Sequence, residues 1–396
     1  MAVMNNECTN GLSQMRMYKL MLLPLLLLSL ILFSCDQDSI FYDISNEPIP
    51  KDPLIPGSPT NIVIARNRVF VGTRMGNRIY CYYNTLGGAD WTYFTLPSGS
   101  LGELATDGIN LYVLIFPTGE PLNSSTVRRY NLSLNSWDMS YTVSGYSIQT
   151  LFGVNGKIFA GGQHYTNYQN FAILYLEPNS NSLTAIKYET SLLKGAVQGP
   201  GGGIYLATAG NGMYVFTEGS LAANPVFGTE DVNFAGMISV GNSVVAVTGD
   251  GGVYINNGGG FSHVSMGVSY TGGMCVWSDR KNQWKNSLLL MGTRGKGTSL
   301  THGYREMVLD TNGRPTFDIR FPGEDSPTSV TSKAKYEASI GTHPVMSIVQ
   351  IPDFIYGGPI QYNSFTGNPD WEPPIFASTS KNGLWSYRNG EWNAED

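Results

Sequence analysis

The sequence predicts an all-β fold, a β-propeller of seven four-stranded blades, with room in the spacing for an eighth. Three observations predict it: a five-residue apolar run that recurs along the chain, glycine-bearing turns on both sides of each run, and a composition poor in charge and rich in glycine and aromatics. The runs are VFVGT (69–73), LYVLI (111–115), IFAGG (158–162), IYLAT (204–208), VVAVT (244–248), LLMGT (289–293) and IFAST (375–379). Their ends are spaced by 42, 47, 46, 40, 45 and 86 residues. Periods of about 40–50 residues mark propeller blades, each blade being a unit too small to bury its own faces.

Each run is read as the second strand of its blade. A first strand and a turn precede it, as at Asp107-Gly108, Asn155-Gly156, Gly199–Gly203 and Gly241-Asn242. Asn-Gly and Asp-Gly pairs supply the positive φ that tight hairpins need. After it come a glycine-bearing turn, a third strand such as MYVF (213–216), VYIN (253–256) or LWSY (384–387), and a fourth such as WTYFTL (91–96). The runs are continuously apolar because neighbouring blades cover both sheet faces. The interval of 86 leaves room for the extra blade. Seven is preferred, because Val345–Ile351 is the single inner-strand candidate in that gap, and Ser326–Pro344 and Pro352–Pro374 then read as insertions. Ring closure is expected to join the strand near Trp392 to the first blade, with Ile40–Ile44 as a helper strand.

In three repeats the pattern tightens to a threonine, three residues, a glycine and two apolar residues: Thr208 to Tyr214, Thr248 to Tyr254 and Thr379 to Trp385. This resembles the propeller repeats of the extracellular sensor halves of two-component regulators and, more loosely, kelch repeats. The resemblance implies an architecture and no particular activity.

The start of the chain reads differently. Residues 20–34, LMLLPLLLLSLILFS, carry no charge and follow Arg16 and Lys19. A basic segment, a short apolar segment and a small residue describe a secretory signal. Fifteen residues fall short of the about 20 that a spanning helix needs. Leu32, Phe33, Ser34 and Cys35 resemble the lipobox of bacterial lipoproteins, although Phe33 is bulkier than that family's usual residue. The resemblance implies cleavage before Cys35 and its acylation by fatty chains such as palmitate. The domains expected are a signal peptide over 1–34, a lipidated cysteine with a proline-bearing tether over 35–59, and the propeller over 60–396. Met15 and Met17 are alternative starts to Met1. The location implied is the bacterial cell envelope, lipid-anchored, on a periplasmic or surface-exposed face.

Removing residues 1–34 takes away Arg16, Lys19 and Glu7, so 24 basic and 30 acidic residues become 22 and 29. An acidic balance argues against a nucleic-acid partner, which needs a basic footprint. Cys81 and Cys275 lie in distant repeats and are expected to be free and buried. No CxxC pair exists, and His164, His263, His302 and His343 make no metal-binding spacing. No motif calls for a cofactor. Ser278 to Trp284 resembles a sialidase box but lacks its glycine, and Gly292 to Thr298 resembles a phosphate loop but has Gly297 after Lys296. Of the carboxylates a glycosidase could use, Asp250, Asp310, Asp318, Glu324 and Asp325, no two are placed together by the sequence.

The function expected is therefore a non-enzymatic binding or scaffolding platform for an envelope protein or an anionic glycan. The alternatives are a carbohydrate-active hydrolase or lyase on the same scaffold and an assembly factor for outer-membrane proteins. Ligands of propellers use turns between second and third strands, which here carry Arg74, Arg78, His164, Tyr165, Tyr168, Asp250, Arg294, Lys296 and Lys381. Blades 6, 7 and 1 adjoin in a closed ring, so their five cations would form an arc able to hold carboxylates or phosphates. A second surface is expected on the insertion 352–374, where Phe354, Tyr356, Tyr362, Phe365 and Trp371 are dense enough to meet a partner.

Overall fold

The computed structural model describes residues 55, 57–74, 77–85, 88–118, 125–176, 180, 182–277, 287–294, 303–320, 322, 340, 343–351, 374–380, 382–388 and 391–395. Strands are numbered β1 to β28 in chain order, and they form seven separate four-stranded antiparallel sheets, each built from four consecutive strands. The seven recurrent apolar runs are the second strands: β2 (Arg68–Thr73), β6 (Leu111–Phe116), β10 (Lys157–His164), β14 (Ile204–Thr208), β18 (Ser243–Thr248), β22 (Leu288–Thr293) and β26 (Ile375–Thr379). The 86-residue interval thus holds no eighth blade among the described residues. The two insertions fall where expected, one between β24 (Pro315–Arg320) and β25 (Val345–Gln350), the other between β25 and β26. Among the described residues no helix is long and apolar enough to cross a membrane.

Successive first strands touch one another around the whole ring, from β1 (Pro59–Ala65) through β5 (Ser100–Thr106), β9 (Tyr146–Val154), β13 (Leu193–Gln198), β17 (Phe234–Val240) and β21 (Tyr270–Trp277) to β25 and back to β1. They form the inner wall. The second strands pack against both neighbours, which is why β18 and β22 are buried along their whole length. The apolar core divides into seven clusters, one in each seam between adjacent blades.

The threonine-to-glycine signature has a local cause. Thr208 and Thr379 end their strands with the hydroxyl donating to the carbonyl of the glycine four residues on, at 2.9 and 2.8 Å, and their backbone N–H groups donate to the same oxygens. At Thr248 the hydroxyl oxygen accepts from the Gly252 N–H at 2.7 Å. Gly212 has φ +78°, and a Cβ there would lie 2.1 Å from the Thr229 carbonyl oxygen, so only glycine fits.

Ring closure differs from the expectation. All four strands of the last blade come from the C-terminal segment, since 345–350 supplies its inner strand. Ile40–Ile44, the expected helper strand, lies outside the described residues. Trp392, on β28 (Glu391–Ala394), faces blade 6, where its indole N–H donates to the Tyr304 hydroxyl at 3.2 Å. The seam to blade 1 is closed by packing: Phe376 sits 5.2 Å from the Tyr82 ring and 5.3 Å from the Trp91 ring. Ile55 is fully buried in this seam, and the carbonyls of Ile55 and Gly57 accept from the N–H groups of Leu384 and Gly383. The Trp91 indole N–H also donates to Glu395 at 3.2 Å. Cys81 and Cys275 are both free and buried, and burial pushes their thiols up to about 11 and about 12.

Phe376→Ala should cost about 3–5 kcal/mol, the usual range for emptying a buried aromatic site. Urea unfolding checks this, and a loss below about 1 kcal/mol would show that the cluster does not hold the ring shut.

Candidate functional site

In an antiparallel blade the turns between second and third strands lie at the same end as the links from a fourth strand to the next blade's first. The described ring-mouth residues named from sequence therefore belong to one face of the wheel. The described ends of the other insertion, Ile351 and Pro374, join by a hydrogen bond of 3.1 Å at the opposite face, where first strands turn into second strands. The two surfaces expected from the sequence thus start from opposite faces. Phe354, Tyr356, Tyr362, Phe365 and Trp371 lie outside the described residues, as do Cys35, Lys296 and Lys381.

The inner wall shapes this face. Every pairing of a first with a second strand carries one register shift. Such bulges re-aim side chains and bend the strand. The residues they displace include Asn61, Glu103, Gln149, Lys194, Ala235, Gly272 and Met346, one per blade, near the start of each inner strand. Several of these side chains reach the next blade. The Leu104 N–H donates to Asn61 Oδ1 at 2.8 Å, and Asn61 Nδ2 donates to the Leu104 carbonyl. The Leu151 N–H donates to Glu103 Oε2 at 2.8 Å. Where Gly236 meets Gly272, the approach is backbone on backbone, and a Cβ on Gly236 would lie 2.6 Å from the Gly272 Cα.

Glu103 is the group sequence reasoning missed. Burial pushes its carboxyl up to about 7, against the opposing pull of the Leu151 N–H and the positive charges of Lys194 and Arg74. Nothing in the local sequence marks it; only the register places a carboxylate at this shielded point.

Arg74 is exposed on the turn after β2. Arg78 opens β3 (Arg78–Thr85), with its guanidinium 4.4 Å from the centre of the Tyr93 ring and a hydrogen bond to Tyr80, so it lies on the outer half of blade 1. Arg294 is exposed after β22 and its guanidinium reaches toward Gly249 of blade 5. Arg74, Arg78 and Arg294 are thus spread along the face.

Blade 3 does bring its residues together. His164 Nδ1 accepts from the backbone N–H groups of Thr166 and Asn167 at 3.3 and 3.2 Å, leaving the ring proton on Nε2. The His164 ring lies 5.5 Å from Tyr165, stacked, and 5.1 Å from Tyr146, edge to face. Tyr146 in turn lies 6.3 Å from Tyr188, at the end of β12 (Leu183–Glu189). Four rings in a row result. Tyr168 stands beside them on the same turn, its carbonyl accepting from Gln163 at 2.9 Å. Tyr188 and Tyr168 are 68% and 66% exposed, so their rings are open to solvent beside the row.

The described carboxylates named from sequence hold turns and strands. Asp250 accepts from the Thr248 hydroxyl, Asp310 from the N–H groups of Asn312 and Arg314 at 2.8 Å, and Asp318 pairs with Arg320. His263 stacks on Tyr254 and His343 accepts from the Asn382 amide. His302, Glu324, Asp325 and Ser278 to Trp284 lie outside the described residues. Among the described residues no three His, Cys, Asp or Glu side chains gather as a metal site.

These features define a seven-bladed β-propeller whose second-to-third-strand face carries cations and exposed aromatics. In shape the chain is similar to the β-propeller domain of Cps50 (Swd1) from Myceliophteria thermophila, with a TM-score of 0.50, 8% identity, and coverage of 85% of this chain and 98% of that one. At that identity the likeness shows the fold alone. No family model and no curated protein matches the sequence.

Glu103 gives the stability a pH dependence. Its folded carboxyl titrates near 7, above the ordinary carboxylate value, so the stabilisation is complete at low pH and is lost as pH rises through about 7. Glu103→Gln should flatten this: between pH 5 and pH 8 the wild-type midpoint in urea should fall relative to the variant. Parallel curves would show that Glu103 titrates normally.

Proposed function

We propose that this chain is a non-enzymatic binding module of the bacterial envelope, held to a membrane through acyl chains on Cys35, whose second-to-third-strand face takes an anionic glycan or an acidic protein segment. The observation that carries the reading is the chemistry of that face. Arg74 and Arg294 are exposed on that face, which also carries a row of accessible rings on blade 3, while Asp250 is taken up by its own turn. Exposed guanidiniums pair bidentately with carboxylates, and exposed rings supply apolar contact area. A chain that is acidic overall but presents cations on its ligand face would favour anions locally while excluding nucleic acid through its net charge.

The anchor follows from acyl chemistry. Each buried methylene contributes about 0.8 kcal/mol, so two or more chains hold a protein on a bilayer. Because Ile55, Gly57 and Pro59 already belong to the wheel, the tether is the shorter stretch 36–54, whose three prolines would keep the wheel clear of the surface.

One experiment separates these parts. The detergent-solubilised full chain is titrated with polygalacturonate, with dextran as the neutral control, and membranes from cells expressing wild type and Cys35→Ser are fractionated alongside. The expected results are salt-sensitive polygalacturonate binding, weakened about tenfold in Arg74→Ala/Arg294→Ala, and release of Cys35→Ser from the membrane fraction. Equal binding by the double variant removes the anion site. Retention of Cys35→Ser on the membrane removes the anchor.

A further inference from the structure

We infer that the cleft on blade 3 is a subsite for a neutral saccharide, stacked on Tyr188 and Tyr146. The inference rests on the binding-module reading and deepens it by naming what the aromatic part of the face takes.

The cleft lies between the first and fourth strands of blade 3 at the ligand face. Tyr146, Asn170, Phe171, Tyr188, Glu189 and Thr190 line a cleft of about 350 Å3 that opens to solvent. That size is in the range of small-molecule sites. Tyr146 and Tyr188 form two walls inclined at 35°. The row continues through His164 to Tyr165, so a chain of sugars longer than one unit would still meet rings. The hydroxyls of Tyr146 and Tyr188 and the side-chain amide of Asn170 have no hydrogen-bond partner among the described residues. The frame around them is fixed: the Thr190 hydroxyl donates to Asn211 of blade 4 at 3.0 Å, and Asn170 is held through its backbone to His164 and Asn167.

Charge selects the ligand. Glu189 is the one carboxylate residue among the described lining, but its side chain is 6% exposed and turned to the seam with blade 4, where Lys187 lies at 3.8 Å and the Tyr214 hydroxyl bonds to it. The described lining holds no cation for a phosphate or a uronate and turns no carboxylate toward the ligand. Stacked nucleobases are disfavoured for the same reason, because their backbone needs a positive groove. A neutral pyranose meets both halves of the site: its C–H face suits a phenol ring, and its hydroxyls both donate and accept, as the free phenols and amide require. A proline-rich peptide also uses aromatic grooves, but it would leave most of these polar groups unmatched.

The test uses the full chain in detergent and isothermal titration calorimetry. The probes are chitotetraose, cellotetraose, maltotetraose and a decaproline peptide. At least one saccharide should bind, more tightly than decaproline. Tyr188→Ala should weaken it about tenfold, and Tyr188→Phe should retain it within about twofold, since stacking needs the ring. Tyr188 is exposed, so neither variant should disturb folding, which circular dichroism checks. The inference is overturned if no saccharide binds, if decaproline binds more tightly, or if Tyr188→Ala binds as wild type does. If saccharides fail while polygalacturonate binding still depends on Arg74 and Arg294, the binding module stands and this subsite does not.

Discussion

The interaction on which the rest of the structure depends is the side chain to backbone hydrogen bond that crosses each seam between neighbouring blades. The first strand of a blade pairs with the second on one side only, so its other edge presents N–H and C=O groups toward the next blade. Buried backbone groups of that kind must find partners. Side chain to backbone bonds cross all seven seams: Asn61 to Leu104, Glu103 to Leu151, Thr150 to Leu193, Ser239 to Gln198, Ser269 to Gly249, Thr271 to Val345, and Ser347 to Ile62. Because no strand is shared between blades, these bonds and the seven apolar clusters are what make one wheel out of separate sheets.

The same device gives the ligand face its shape. Each inner strand carries a bulge near its start, at the mouth where the second-to-third-strand turns gather, and at Asn61, Glu103 and Thr271 the displaced side chain is the one that crosses the seam. The mouth is therefore rigid beneath, while the turns above it are left to vary. Between its last paired residues blade 3 has a turn of seven residues that begins with His164, whereas blades 4, 5 and 7 close in five residues that begin with threonine and end with glycine. The aromatic row and its cleft exist because blade 3 departs from the tighter pattern. Glu103 shows the cost of the seam's demands: a carboxylate recruited as a cap is held where its charge is poorly solvated.

The repeat was legible in the sequence because the second strand is buried on both faces, so its apolar run survives in every blade. Turn chemistry was legible for the same reason: Thr208, Thr248 and Thr379 act within four residues of themselves. The bulges were not legible, since the displaced residues are Asn, Glu, Gln, Lys, Ala, Gly and Met, with no common type. At the site, loop position pointed to His164, Tyr165 and Tyr168. Tyr146 and Tyr188 were missed because they sit at opposite edges of one sheet, and only the pairing register brings them to the same end. The C-terminal segment does meet the first blade, through Glu395 and Trp91, but the partner of Trp392 itself, Tyr304 in the preceding blade, is too distant in sequence to be read from it.

Amide hydrogen exchange at Leu104 tests the seam most directly. Its N–H points away from its own sheet and is held by Asn61 of the neighbouring blade. The account predicts slow exchange in the native protein and acceleration of about a hundredfold in Asn61→Ala, confined to that seam. Exchange at Leu104 that is already fast, or that Asn61→Ala leaves unchanged, would contradict it.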